Sequence, residues 1–382
     1  MLPDIFLLEI CGTTPIFALH TALLHTAYLH TQPTFRPENN ALRNHKIDLM
    51  RYVGLVMIVI AHLSPSDLLH QLRNFDVPLM VLISGASFQL SHRPGEPYGH
   101  YLFKRFRRLV LPVWVFCTLY FLTFLLYNPN HAILQPNTVL ESYLLMQGFG
   151  YVWVVRVFLL VAMVAPLLRR INLRLPSNAG LFGFLAVGLA LYQGLRWLAP
   201  EQYLGSVGTA FLDSYLYYVI PYGLVFLLGM RLIQLSPAMV RRMGRFFLLT
   251  FLVLAVWYSV PRGEFLPTQV SKYPAGFYYL SYALLVSMFL WLRSDQLWNA
   301  LPGFIRQYVL FTSKNSIWIY LWHIPLIRWA SQSSAPLAYE LVITLAASTV
   351  IVLLQVRLVD WFSRTNFFHA RLRRNLRIIL TG

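Results

Sequence analysis

Charged residues are scarce in this sequence, and acidic residues are the scarcer kind. The 382 residues include 14 Asp and Glu against 31 Lys and Arg, and only 12% of the chain is charged, whereas 57% is hydrophobic. Soluble domains carry about twice that fraction of charge. This composition therefore excludes an ordinary soluble protein and predicts an all-α polytopic integral membrane protein.

Cysteine is almost absent. Cys11 and Cys117 lie far apart in apolar surroundings, which excludes a disulfide framework and a cysteine-based metal site. The sequence gives no reason to expect a bound metal of any kind. No Lys or Arg precedes Arg36, so the basic start of a signal peptide is also missing. Any chemistry is expected to use other side chains.

Long apolar stretches dominate the chain after residue 44. They predict a transmembrane domain over residues 44–362, preceded by an N-terminal extension of uncertain structure (1–43) and followed by a short basic cytoplasmic tail (363–382). About ten membrane-spanning helices are expected, with both ends of the core cytoplasmic. The ten stretches are 48–65, 75–90, 109–127, 151–168, 179–198, 211–233, 246–260, 275–292, 308–328 and 337–359.

The loops between these stretches test the topology. Basic residues concentrate in alternate loops on one side, as cytoplasmic loops require. The excess of Lys and Arg is thus explained by loops that face anionic lipid, and nucleic-acid binding is not expected. The opposite side holds only Arg73, Arg196, Arg262, Lys272 and Arg328.

Two polar residues interrupt the first apolar helix on the same face. Arg51 and His62 are eleven residues apart, and eleven helical steps end about 20° beyond three full turns and about 16 Å along the axis. Asp48 is close enough to pair with Arg51, which would give both a structural role. His62 is either a buried neutral imidazole bonded to a backbone carbonyl or a general base.

A basic segment, YLFKRFRRLVLPVW, opens the third apolar helix. Arg105 and Arg108 share one helical face there. Such a run is usually a collar that anchors the helix at anionic lipid. The alternative is a phosphate-binding site, because one guanidinium group can donate two parallel hydrogen bonds to the oxygens of a phosphate.

Taken in order, these motifs resemble the membrane-bound acyltransferase 3 family. The resemblance rests on Arg51 and His62, the segment VPLMVLISG, the Arg105-x-x-Arg108 motif, YVWVVRVFLLVAMVAPLL and SIWIYLWHIPL, and it covers about residues 44 to 360. Family members O-acylate sugars of surface polysaccharides, such as O-antigen or capsule. Met80 departs from the pattern, because relatives commonly have an aromatic residue there.

The resemblance implies a reaction and its site. Arg51 and His62 would be the catalytic pair, and Arg105 and Arg108, together with Arg51, would bind acyl-CoA. Acetyl-CoA is the expected donor substrate, a saccharide is the expected acceptor, and no permanently bound cofactor is implied. The expected location is the inner membrane of a bacterium.

Five further residues are weaker candidates for substrate binding, and each could instead have an ordinary structural role. Asp76 either meets the acceptor or caps the second helix. Trp153 suits sugar stacking, although aromatic belts are ordinary in membranes. Arg156 contacts a substrate or pairs with a nearby acid. Tyr320 and His323 share a helix face and either line a cavity or anchor the membrane interface.

Two other functions also fit a polytopic protein with intramembrane Arg and His. One is a transporter or flippase for a polysaccharide precursor, although no inverted repeat is evident. The other is a non-catalytic partner in a polysaccharide assembly complex. Acyl transfer that depends on Arg51 and His62 would separate the enzyme from both.

Overall fold

A computed structural model of the chain describes residues 44–198, 203–330, 335–364 and 369–381. The N-terminal extension predicted for residues 1–43 lies outside them. Every regular element among the described residues is helical. The helices are α1 His45–His62, α2 Asp67–Leu72, α3 Asp76–Ser91, α4 Tyr98–Tyr127, α5 Pro136–Tyr143, α6 Trp153–Arg174, α7 Asn178–Trp197, α8 Ser206–Leu232, α9 Pro237–Ser259, α10 Phe277–Ala300, α11 Gly303–Lys314, α12 Ser316–Ala330, α13 Leu337–Arg364 and α14 Ala370–Thr381.

Five of these helices are long and apolar enough to cross a membrane. They are α4, α7, α8, α9 with the short turn that follows it to Arg262, and α13. Each coincides with a predicted stretch, so a multi-pass, all-helical membrane protein is confirmed for the described residues. The total of ten spans and the cytoplasmic position of both ends stay predictions.

Several helix boundaries differ from the predicted stretches, and two of these differences have a clear physical reason. The helix expected at 109–127 begins at Tyr98, because Lys and Arg are good helix formers and the basic segment forms its first turns. The stretch expected at 308–328 is divided between α11 and α12. Asn315 lies at that division and donates a side-chain hydrogen bond to the Phe311 carbonyl at 2.8 Å, which satisfies the end of α11.

The centre of the helical bundle is α3, which packs against α1 and α8 and is buried along most of its length. Gly85 of α3 and Gly229 of α8 let the two backbones touch. A Cβ atom on Gly85 would overlap the carbonyl of Phe226, and one on Gly229 would overlap the carbonyl of Leu82. Small residues permit this close approach between membrane helices.

Peripheral helices expose apolar side chains. Leu191 on α7 is 70% exposed and Trp257 on α9 is 72% exposed. Apolar surface of this extent needs cover, and a lipid bilayer supplies it for a membrane protein. Several of the polar residues that the sequence analysis predicted as site residues, such as Asp76, Arg156 and His323, are instead buried.

Candidate active site

Helices α1 and α3 run in opposite directions, and α1 carries both residues of the predicted catalytic pair. Ser87, near the end of α3, contacts Arg51 near the start of α1. Met80 packs on Gly54 one turn further along α1, where a Cβ atom would come within 2.7 Å of Met80 Cγ. The methionine that departs from the family pattern thus fills space that the glycine leaves open. The site has an Arg51 end and a His62 end.

At the Arg51 end, a buried network fixes the guanidinium. Arg51 Nη2 donates to Ser87 Oγ at 2.9 Å, and Nη1 donates to Ser313 Oγ at 3.3 Å. Ser313 in turn donates to Asp48 Oδ1 at 2.6 Å, and Asp48 lies 3.9 Å from Arg51 Nη1. The predicted pairing with Asp48 is therefore present and is reinforced through Ser313. Arg51 remains half-buried, whereas Asp48 is buried.

Arg105 lies close to the same part of α3. Its guanidinium lies 5.9 Å from the ring centre of Phe88 and 5.2 Å from that of Tyr101. Since Phe88 follows Ser87 in the chain, α3 presents consecutive residues to Arg51 and Arg105. Arg108, one turn further along α4, is exposed. Three guanidinium groups thus belong to the same end of the helical bundle.

At the other end of α1, His62 pairs with His323 of α12. His62 Nδ1 lies 2.9 Å from His323 Nε2, and the two rings stack with their centres 5.1 Å apart. His323 is fully buried, and its Nδ1 contacts the carbonyl oxygen of Tyr320. His62 is half-buried. The structure therefore brings together two residues that the sequence separates by 261 positions.

Hydrogen bonding fixes the tautomers of this pair when both rings are neutral. A carbonyl oxygen only accepts, so His323 Nδ1 carries a proton and donates it to Tyr320. His323 Nε2 is then an acceptor, and His62 Nδ1 must donate to it. The lone pair of His62 is left on Nε2, for which the described part of the chain offers no hydrogen-bond partner. That nitrogen is placed to accept a proton.

Asp76 occupies a buried ion cluster. Arg73 Nη1 lies 2.7 Å from Asp76 Oδ2, and Lys272 Nζ lies 3.3 Å from Oδ1. All three side chains are buried. The carboxylate also accepts a hydrogen bond from the Val77 backbone at 2.8 Å. These contacts favour the structural interpretation of Asp76 over direct contact with an acceptor.

Trp153 and Arg156 belong to an aromatic cluster on the side of α6. Trp153 meets the rings of Tyr218 and Tyr273, at centre distances of 6.1 and 5.1 Å. Arg156 is buried, with its guanidinium 5.1 Å from the Tyr218 ring and its Nη1 2.9 Å from the sulfur of Met146. Within the described ranges it forms no ion pair with the acids that the sequence suggested. Neither residue contacts His62.

Tyr151, which the sequence analysis did not single out, lies against His62, and Tyr320 in turn contacts Tyr151. The ring of Tyr151 meets His62 edge-on at 4.8 Å. Tyr320 is buried, and its hydroxyl donates to the Tyr151 carbonyl. Tyr320 thus anchors the segment that presents Tyr151. The sequence signal for Tyr151 was weak, because it lies between two apolar elements in an aromatic-rich stretch.

Comparison with models of known protein families identifies the family of this chain. The model of the acyltransferase 3 family, described as an acyltransferase domain, matches residues 44–356. The chain belongs to this family. Neither the curated proteins nor the solved structures that were compared contain a match. Membership indicates a membrane acyltransferase, in a family that commonly acetylates polysaccharides.

Proposed function

We propose that this protein O-acylates a saccharide in a bacterial inner membrane, with acyl-CoA as donor and His62 as general base. The observation that carries the proposal is the chain of hydrogen bonds from the Tyr320 carbonyl through His323 to His62, which leaves the lone pair of His62 on Nε2. A half-buried neutral imidazole that is held in one tautomer has a defined lone pair with which to accept a proton, as a general base requires.

In the proposed reaction, His62 Nε2 takes the proton of an acceptor hydroxyl as the hydroxyl oxygen attacks the thioester carbonyl carbon. The new C–O ester bond forms and the C–S bond breaks. The departing thiolate receives the proton from His62, so that the products are the acylated saccharide and coenzyme A. Help of this kind contributes about 10²- to 10⁴-fold in rate.

The Arg51 end supports the donor assignment. Coenzyme A combines several phosphates with a long thin arm that ends in the thioester. Arg51, Arg105 and Arg108 supply guanidinium groups, which match phosphate oxygens, and α1 separates Arg51 from His62 by about 16 Å. The arm of the donor would follow α1 from the phosphates to the base. Acetyl-CoA is the proposed donor because acetylation is common in the family.

A gene-replacement experiment tests this function. Surface glycan from cells that lack the gene is compared, by mass spectrometry, with glycan from cells that carry the wild type, His62→Ala or Arg51→Ala. We expect acyl groups only with the wild type. His369→Ala is the control, because His369 is exposed and lies in the tail. Acylation that survives in the His62→Ala cells, with protein inserted at normal levels, would refute the proposal.

A further inference from the structure

A groove lies between α4 and α12. It consists of two cavities of about 690 and 400 Å³, which share His131 and Arg328 as lining residues. Both cavities contact these two side chains and therefore adjoin one another, and together they are called the Arg328 groove below. Each of the two cavities has a volume within the range of small-molecule binding sites. None of the three guanidinium groups at the Arg51 end lines it.

Tyr151 connects the Arg328 groove to the proposed base. It lines the smaller cavity, and its ring meets that of His62 at 4.8 Å. A molecule in the groove is therefore separated from His62 by a single side chain. This continuity distinguishes the groove from a general depression on the surface of the helical bundle.

The walls of the larger cavity combine aromatic faces with hydrogen-bond donors. Tyr120, Phe124 and Trp322 supply the rings. Arg328 Nη1 donates to the Tyr120 hydroxyl at 3.0 Å, and its guanidinium lies 5.8 Å from the Phe124 ring centre. Aromatic faces with a few fixed polar groups suit a sugar ring, which has apolar faces and a polar rim. The polyphosphate of coenzyme A would need a denser cluster of cations.

The outer wall of the larger cavity continues into an apolar surface. Leu119 lines the cavity and is 47% exposed, and Leu126, two turns further along α4, is 78% exposed. A lipid tail attached to a sugar in the groove would lie along this surface. The groove therefore provides for both parts of a lipid-linked saccharide.

We propose that the Arg328 groove binds the acceptor, a lipid-linked saccharide, with its reactive hydroxyl directed past Tyr151 toward His62 Nε2. The inference rests on the proposed function and adds the acceptor site to it. The donor then enters at the Arg51 end of α1 and the acceptor at the His62 end, so that the two substrates meet at the base from opposite directions.

The test uses the full-length protein in proteoliposomes, acetyl-CoA, and unmodified lipid-linked saccharide extracted from cells that lack the gene. Thr123→Trp fills the larger cavity, which Thr123 lines, and Arg328→Gln removes the guanidinium. We expect both variants to raise the KM for the saccharide at least tenfold without changing the KM for acetyl-CoA. Leu191→Trp, which adds a similar side chain on the exposed face of α7, is the control.

His62→Ala separates the two proposals. If it leaves transfer intact, the proposed function fails. If it abolishes transfer but Thr123→Trp and Arg328→Gln keep the wild-type KM for saccharide, the function stands and the groove assignment is wrong. If Thr123→Trp does not fold, the KM of Arg328→Gln for the saccharide decides whether the groove assignment is correct.

A photo-crosslinking residue at Leu119 provides a direct readout of the occupant. We expect irradiation to join it to the lipid-linked saccharide. Cross-links that involve only bulk phospholipid, or only residues 1–43 of the same chain, would overturn the assignment.

Discussion

His62 Nδ1 lies 2.9 Å from His323 Nε2, and the far nitrogen of His323 contacts the Tyr320 carbonyl. The backbone therefore sets the tautomer of the first ring through the second. His323 was predicted as a substrate-binding residue. Under the proposed function it would be a positioning residue instead, because its side chain is buried and both of its nitrogens contact protein groups.

Substitution of His323 should lower kcat without raising the KM for acyl-CoA. In His323→Leu, His62 loses its acceptor and is free to place its proton on either nitrogen. In His323→Gln, an amide oxygen can still accept from His62 Nδ1, so we expect partial recovery. Removal of groups that orient metal-ligating histidines costs about 10- to 100-fold, and we expect a loss of similar size here. The measurement is initial-rate kinetics in proteoliposomes. Equal losses in both variants would indicate a packing role alone.

Arg51→Lys should raise the KM for acyl-CoA about 10- to 100-fold, which corresponds to about 1.4–2.8 kcal/mol. Lysine keeps the charge but loses the planar guanidinium group, which contacts Ser87 and Ser313. A guanidinium group can also bind two oxygens of one phosphate at the same time, which an ammonium group cannot do with the same geometry. The saccharide KM should not change. Arg241→Lys, on an exposed position of α9, is the matched control. An unchanged donor KM would remove Arg51 from the donor site.

The sequence could predict relationships within a single helix. The alignment of Arg51 with His62 depends only on helical periodicity, and the pairing of Asp48 with Arg51 depends on a three-residue spacing. Both follow from local geometry. The apolar stretches likewise predicted the helices, because length and hydropathy decide what can cross a bilayer.

The contacts between distant helices could not be predicted in this way. Ser313 is 265 residues from Asp48 in the chain, and no local pattern marks it. The cations Arg73 and Lys272 were assigned to loops on the outer side, where a charge is ordinarily taken to be solvated. Their burial with Asp76 depends on how α2, α3 and the connection before α10 pack together, which a single sequence does not encode in its spacing.

The close crossing of α3 and α8 should tolerate no side chain at Gly229. A Cβ atom there would overlap the Leu82 carbonyl, and a rigid backbone cannot move aside as a flexible side chain can. We expect Gly229→Ala to lower the melting temperature in detergent and the yield of folded protein. Gly183→Ala on α7 is the control, since a Cβ atom there would meet nothing within 4 Å. Equal stability of the two variants would mean that the helices separate easily at this point.

The buried cluster of Arg73, Asp76 and Lys272 should behave differently from an ion pair at the surface. Burial lowers the pKa of Lys272, whereas the Asp76 carboxylate opposes that change. Asp76→Asn therefore leaves two buried cations without their carboxylate and should destabilise the protein by about 3–5 kcal/mol. Asp76→Asn combined with Lys272→Met removes one of the two cations and should recover part of this loss.

Asp295→Asn is the matched control for this cluster, because its ion pair with Lys46 involves a side chain that is 64% exposed. Loss of an exposed pair costs about 0–1 kcal/mol. Melting temperatures in one detergent compare the variants. If Asp76→Asn melts like Asp295→Asn, solvent must reach the cluster. Asp76 would then regain its place as a candidate acceptor contact, because a carboxylate that water can reach is also open to a sugar hydroxyl.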